Sequence, residues 1–191
     1  MTQELKRCGW VTNDPLYLQY HDEEWGRPVH DDQRLFEQLV LEGAQAGLSW
    51  ITILKRRHHY RRVFRDYHLP TLAAFTAEDI DKALQDTGII RNRKKVESVV
   101  NNAACFQQVQ AEFGSFDAYV WAYVNGVTVQ NNFVSNDDVP AQTDISQKLA
   151  KDLKKRGFKF VGPIGMYAFM QSIGMVNDHL VTCHCHAEVG G

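Results

Sequence analysis

Apolar side chains recur at i, i+3 and i+4 along most of this chain, and strand-like alternation is nearly absent. Such a pattern demands helices that bury one face against one another. Leu35, Phe36, Leu39, Val40 and Gly43 follow it behind Asp31-Asp32, which can cap a helix. Ser49 can cap the next, with Trp50, Ile51, Leu54 and, further on, Tyr60, Val63 and Phe64 facing inward. Thr76-Ala77-Glu78-Asp79 opens a third helical stretch, and Gly88 reads as its C-terminal stop. Residues 93–112 and 116–125 read as two more helices, broken at Gly114-Ser115. The stretch 126–144 has no clear period and reads as a loop, with a short extended piece near Val127-Thr128-Val129. Helix restarts at Asp144 or Ser146 and runs to Arg156; Pro163 suits the first turn of another, ending near Gly174. The expectation is an all-α fold forming a single domain over residues 1–191, without repeats or a linker.

With 44% hydrophobic and 23% charged residues in 191, the composition is that of an ordinary globular domain. No window approaches the roughly 18 consecutive apolar residues of a membrane span. The opening Met1–Cys8 lacks the apolar centre of a secretory leader. Four cysteines without a leader point to a reducing cytoplasm, where thiols bind metal or stay free. The net charge of -2 hides an uneven distribution. Most of the 21 lysines and arginines fall in three acid-poor runs, at residues 55–65, 91–95 and 151–159. One such run is an ordinary solvated helix face; three together suit a surface that binds a polyanion.

Cys8 and His21 lie near the start of the chain, and His179 and Cys183 near its end. The latter two are spaced i, i+4, which would place both ligand atoms on one side of a helical turn. Two thiolates and two imidazoles make the Cys2His2 set of a closed, structural Zn2+ site. The residues alone leave other arrangements open: free thiols with surface histidines, or ligation by His184, Cys185 and His186.

Trp10, Tyr17, Tyr20 and Trp25 crowd into sixteen residues, and Trp50 follows. Such a cluster is ordinarily core, but in a turn-rich segment it also suits a pocket that stacks flat rings. Glu42 sits in an otherwise apolar helix face, where a buried carboxylate would need a partner. Gly47-Leu48 forms a tight turn before a helix and can expose an apolar side chain. Lys154–Pro163, with Arg156, Gly157, Lys159 and Gly162 between two helical patterns, resembles a helix-hairpin-helix. A turn of that kind aims backbone N–H groups at a phosphate.

The ordered set of motifs resembles the DNA-3-methyladenine glycosylase I family of the helix-hairpin-helix glycosylase superfamily. Its parts are Cys8-Gly9-Trp10, Asp14-Pro15-Leu16-Tyr17, Tyr20-His21-Asp22, Glu24-Trp25-Gly26, Leu35-Phe36-Glu37, Leu41-Glu42-Gly43, Gln45–Trp50, Gly88–Arg91, Arg156–Gly162, Phe169-Met170-Gln171 and Val176–His179. They run in order over nearly the whole chain. The resemblance implies an enzyme that flips 3-methyladenine out of alkylated double-stranded DNA and hydrolyses its N-glycosidic bond; nothing in the sequence suggests a subunit interface, so a monomer is expected. An abasic site would remain, without lyase cleavage, because no lysine stands out as a Schiff-base nucleophile. A protein that binds the lesion without turnover is the alternative.

By the same resemblance Cys8, His21, His179 and Cys183 hold one structural zinc ion. Glu42 recognises the flipped base, and Trp10, Tyr17, Tyr20, Trp25 and Trp50 line or support its pocket. Leu48, beside Gly47, is the wedge, and the hairpin from Arg156 through Gly157 and Lys159 to Gly162 grips phosphate. Asp178, beside a zinc ligand, is expected to orient that site rather than to catalyse. One departure stands out: Pro163-Ile164-Gly165 occupies a stretch where relatives usually carry small hydroxylic residues.

Overall fold

The computed structural model describes residues 5–189. The first four residues of the opening stretch read for a leader, and the last two of the expected domain, lie outside it. In chain order the helices are α1 (Pro15–Glu23), α2 (Asp32–Gln45), α3 (Trp50–Leu54), α4 (Arg57–Val63), α5 (Leu69–Ala73), α6 (Ala77–Ala83), α7 (Arg93–Phe113), α8 (Phe116–Trp121), α9 (Asp144–Lys155), α10 (Pro163–Ser172) and α11 (Cys185–Val189). The fold is thus mostly helical. Two two-residue strands, β1 (Val129–Gln130) and β2 (Val176–Asn177), pair in parallel and tie the long loop to the C-terminal segment.

Local chemistry sets most helix starts. Asp14, Asp31, Thr76, Asn92, Ser115 and Thr143 each accept a backbone N–H of the first turn through the side chain, a cap contributing about 1 kcal/mol apiece. The main core gathers the buried faces of α2 (Leu35, Phe36, Leu39), α7 (Val99, Phe106, Val109) and α10 (Met166, Phe169, Met170). Asp32 accepts the N–H groups of Phe116 and Asp117 and thereby fixes the start of α8 against α2. A second, smaller core holds Cys8, Tyr20, Trp25, Leu180, Cys183 and Cys185.

Several expected boundaries move. The helix expected after Ser49 is two, parted at Lys55-Arg56, and Ser49 bonds Thr52 Oγ1 rather than the backbone. Gly88 does not stop α6, which ends at Ala83. Its missing side chain instead leaves room for the His59 ring. Residues 179–183 form a turn, not helix, closed by Cys183 N–H donating to Leu180 O at 2.7 Å.

Gly43 and Gly157 place the hairpin. A Cβ at Gly43 would stand 3.3 Å from Phe160 Cβ, tighter than ordinary van der Waals contact, so the bare glycine eases the close approach of α2 to the α9–α10 turn. Gly157 takes φ of +93° where α9 ends, and Gly162 caps α10 ahead of Pro163.

Candidate functional site

Between the aromatic N-terminal segment, α2 and α10 lies a cavity of about 430 Å3. All six residues of the expected pocket line it: Trp10, Tyr17, Tyr20, Trp25, Glu42 and Trp50. The aromatic rings support one another. Trp10 meets Tyr17 at 5.2 Å and Trp25 edge-on at 4.9 Å, and Tyr20 meets Trp50 at 5.3 Å between centroids.

Glu42 is 6% exposed, and its Oε2 has no hydrogen-bond partner among the described residues. Burial pushes its carboxyl up to about 8, because removal from water disfavours the charged form. Trp50 Nε1 is likewise buried without a partner. An unmet acceptor and an unmet donor in the lining of one cavity are costly to the free protein and suited to a polar, planar ligand.

The opposite wall was not anticipated. Asp178 accepts from Tyr167 Oη at 2.6 Å, Gln171 Nε2 at 2.8 Å and Asn131 Nδ2 at 2.7 Å. Its carboxylate is therefore satisfied, and it orients this wall of the cavity rather than the Cys/His cluster, which corrects the expectation for it. Gln45 also lines the cavity. Its signal was available, since it lies one helical turn after Glu42 on the same face.

Cys8, His21, His179 and Cys183 are all buried, and their ligand atoms lie within 4.8 Å of one another. Cys183 Sγ stands 3.6 Å from both His21 Nε2 and His179 Nδ1, and Cys8 Sγ stands 3.7 Å from His179 Nδ1. The second nitrogen of each imidazole is held as well. His21 Nδ1 meets Asp22 Oδ1 at 2.7 Å, and His179 Nε2 meets the Trp25 carbonyl at 3.0 Å. These are the partners that aim the rings, and Asp22 was legible as the residue beside His21. The cluster could hold a four-coordinate metal. It also underlies the pocket: Trp25 stacks edge-on against His179 at 4.7 Å, and Trp10 against His21 at 5.3 Å.

Leu48, at 40% exposed, projects from a turn in which Gly47 takes φ of +81°. Lys95, which the sequence reading placed only within a basic run, fixes that turn. Its Nζ donates to the carbonyls of Ala44 and Ala46 at 2.8 and 2.7 Å, the open end of α2.

The basic runs are less available than their sequence suggests. Lys55 pairs with Asp14, Arg57 with Glu24, Arg61 with Glu37 and Arg62 with Asp86. Arg156 is bound to Glu112 and Asp152 and lies over the rings of Phe113 and Tyr119. Lys94 and Lys159 form no ion pair with the described residues, and with Phe160 they line a groove of about 480 Å3. The positive surface thus contracts toward the hairpin and the start of α7.

The profile of the methyladenine glycosylase family matches residues 10–186. The chain belongs to that family. Among methyladenine glycosylases, DNA-3-methyladenine glycosylase 1 of Escherichia coli K12 is 46% identical over 182 residues, covering 95% of this chain and 97% of that one. DNA-3-methyladenine glycosylase of Haemophilus influenzae is 46% identical over 179 residues, covering 94% and 97%. A crystal structure of 3-methyladenine DNA glycosylase I superposes with a TM-score of 0.93 at 48% identity, over 95% of this chain and 100% of that one. A structure of the Staphylococcus aureus glycosylase, solved for the structural basis of 3-methyladenine recognition, gives 0.91 at 39% identity, over 94% and 96%. Among the described residues no helix is long and apolar enough to cross a membrane.

Proposed function

We propose that this chain excises 3-methyladenine from alkylated duplex DNA in the cytoplasm, acting as a monomer, by hydrolysis of the N-glycosidic bond. The observation that carries the reading is Glu42, buried at the cavity wall with an unpartnered oxygen among five aromatic side chains. A methylated adenine presents what those groups lack: an exocyclic amine that donates, a ring nitrogen that accepts, and a flat face.

The target base is inside the duplex and must be flipped out, at a cost of a few kcal/mol. Leu48 enters the vacated stack and offsets part of that cost. The main chain from Gly157 to Gly162, folded as a helix-hairpin-helix, receives the phosphates, aided by Lys159 and Lys94, while Arg156 holds the hairpin's shape through Glu112 and Asp152. Methylation at N3 makes the base a cation and weakens its bond to the sugar. Stacking of that cation on Trp and Tyr rings contributes on the order of 1–2 kcal/mol per contact. The cation beside it favours the ionised form of Glu42, whose carboxylate then accepts hydrogen bonds from the base, whereas neutral adenine brings no charge to draw off the Glu42 proton. Water then attacks C1′ as the bond to the base breaks. The base leaves with the bonding electrons, water supplies the hydroxyl, and an abasic site remains on an intact strand.

The four-residue cluster fits zinc. Zn–S and Zn–N bonds of about 2.3 and 2.0 Å at a tetrahedral angle separate the donors by about 3.5 Å, close to the 3.6 and 3.7 Å between these atoms. Bound there, the ion joins the two ends of the chain and supplies no chemistry to the reaction.

The test is the fate of the strand. DNA carrying 3-methyladenine, treated with the protein, should remain unbroken until heated in alkali, and borohydride should trap no covalent complex. Direct strand cleavage with trapping would show lyase activity. Retention of damaged DNA without any abasic site would favour lesion binding alone.

A further inference from the structure

Beside the four-residue cluster lie two donors that the proposed zinc site leaves unused. We propose that Cys183, His184 and Cys185 form a second metal site, which shares the Cys183 thiolate with the first.

The ligand atoms of these three consecutive residues lie within 4.8 Å of one another. Cys185 Sγ is 3.3 Å from His184 Nε2. The other ring nitrogen, Nδ1, donates to the Lys6 carbonyl at 3.1 Å, and the His184 backbone N–H donates to the same oxygen at 2.9 Å. That pair of bonds keeps the proton on Nδ1 and leaves the Nε2 lone pair facing the sulfur, the arrangement found behind metal-bound histidines. Asp22 Oδ1 lies 3.6 Å from the same Nε2, so a carboxylate borders the site. Arg7, the neighbouring cation, is neutralised by its two-pronged pair with Asp22.

The two sites differ in access. All four residues of the first are buried, whereas the His184 side chain is 18% exposed. The second site thus offers three protein donors and an open position toward solvent. Two sulfurs and an imidazole select zinc and softer divalent ions over magnesium or calcium. Binding releases the Cys185 thiol proton to solvent, and no electron is transferred. His186 takes no part, because its Nε2 is held by Gln130 and the Asn131 carbonyl.

The inference rests on the proposed zinc reading, and metal stoichiometry separates the two. The zinc-loaded protein is equilibrated with rising Zn2+, and ions per chain are counted by native mass spectrometry. Wild type should hold one ion throughout and gain a second as Zn2+ rises. His184→Ala and Cys185→Ser should each lose the second ion and keep the first, whereas His186→Ala should keep both. A single ion at every concentration, or a second that survives both substitutions, overturns the second site and leaves the first standing. Loss of the first ion in Cys185→Ser would instead assign that sulfur to the four-ligand set. No ion at all would overturn both readings.

Discussion

Lys95 Nζ donates to the carbonyl oxygen of Ala44 at 2.8 Å, across fifty-one positions of sequence. The bond closes the C-terminal end of α2, the helix that carries Glu42, immediately before the turn that exposes Leu48. One cation therefore sets the relation between Glu42 and the exposed Leu48.

Lys95→Met should lower the unfolding free energy by about 1–3 kcal/mol, the usual cost of unmaking charged hydrogen bonds to partly buried groups. In base-release kinetics KM should rise more than kcat falls if Leu48, the proposed wedge, acts in engaging DNA. Lys95→Arg should recover part of both. Unchanged KM in a destabilised Lys95→Met would confine the lysine to stability.

Glu42 makes stability depend on pH. Its carboxyl is raised from 4.5 to about 8 by burial, so between those values the folded protein keeps a proton that the unfolded chain has released. The contribution is fully present below about pH 4.5 and is lost as pH rises through about 8. Glu42→Gln should remove this slope. Urea midpoints at pH 5 and pH 8 should converge in the variant, with a gain of about 4 kcal/mol at pH 8 relative to wild type.

Two aspartates should separate cleanly. Asp22→Asn removes the carboxylate that aims His21 and should lower metal retention against a chelator by about 10–100-fold. Asp178→Asn should leave retention unchanged and disturb the wall formed by Tyr167 and Gln171. Equal metal loss in both would contradict the hydrogen bonds described for them.

Leu48→Ala should leave stability within about 0.5 kcal/mol, as befits an exposed side chain. Binding to DNA with an abasic analogue should weaken severalfold, while the salt dependence, set by phosphate contacts, should hold. A steep loss of stability would mean that Leu48 belongs to the core.

The helices were legible because their signals are local. Asp31 ahead of an apolar face and the Thr76–Asp79 capping box both act within one turn. The Cys and His residues were legible as a donor set, although the turn that joins His179 to Cys183 was not, since i, i+4 spacing fits both geometries. What failed were signals decided by distant partners. Gly88 reads as a helix stop in sequence, but the His59 ring determines its use. The run at 55–65 reads as a polyanion surface, yet Asp14, Glu24, Glu37 and Asp86 neutralise much of it from elsewhere in the chain. Lys95 reads in sequence as one more charge of a basic run, and only the folded chain shows that its target is the end of α2.

The most direct test of the account is release of bases from methylated DNA, separated by chromatography after treatment with wild type and with Glu42→Gln. The account predicts 3-methyladenine as the released base for wild type, with 7-methylguanine left in the DNA, and a reduced rate for the variant. No 3-methyladenine released by folded wild-type protein, or a Glu42→Gln variant as fast as wild type, would contradict it.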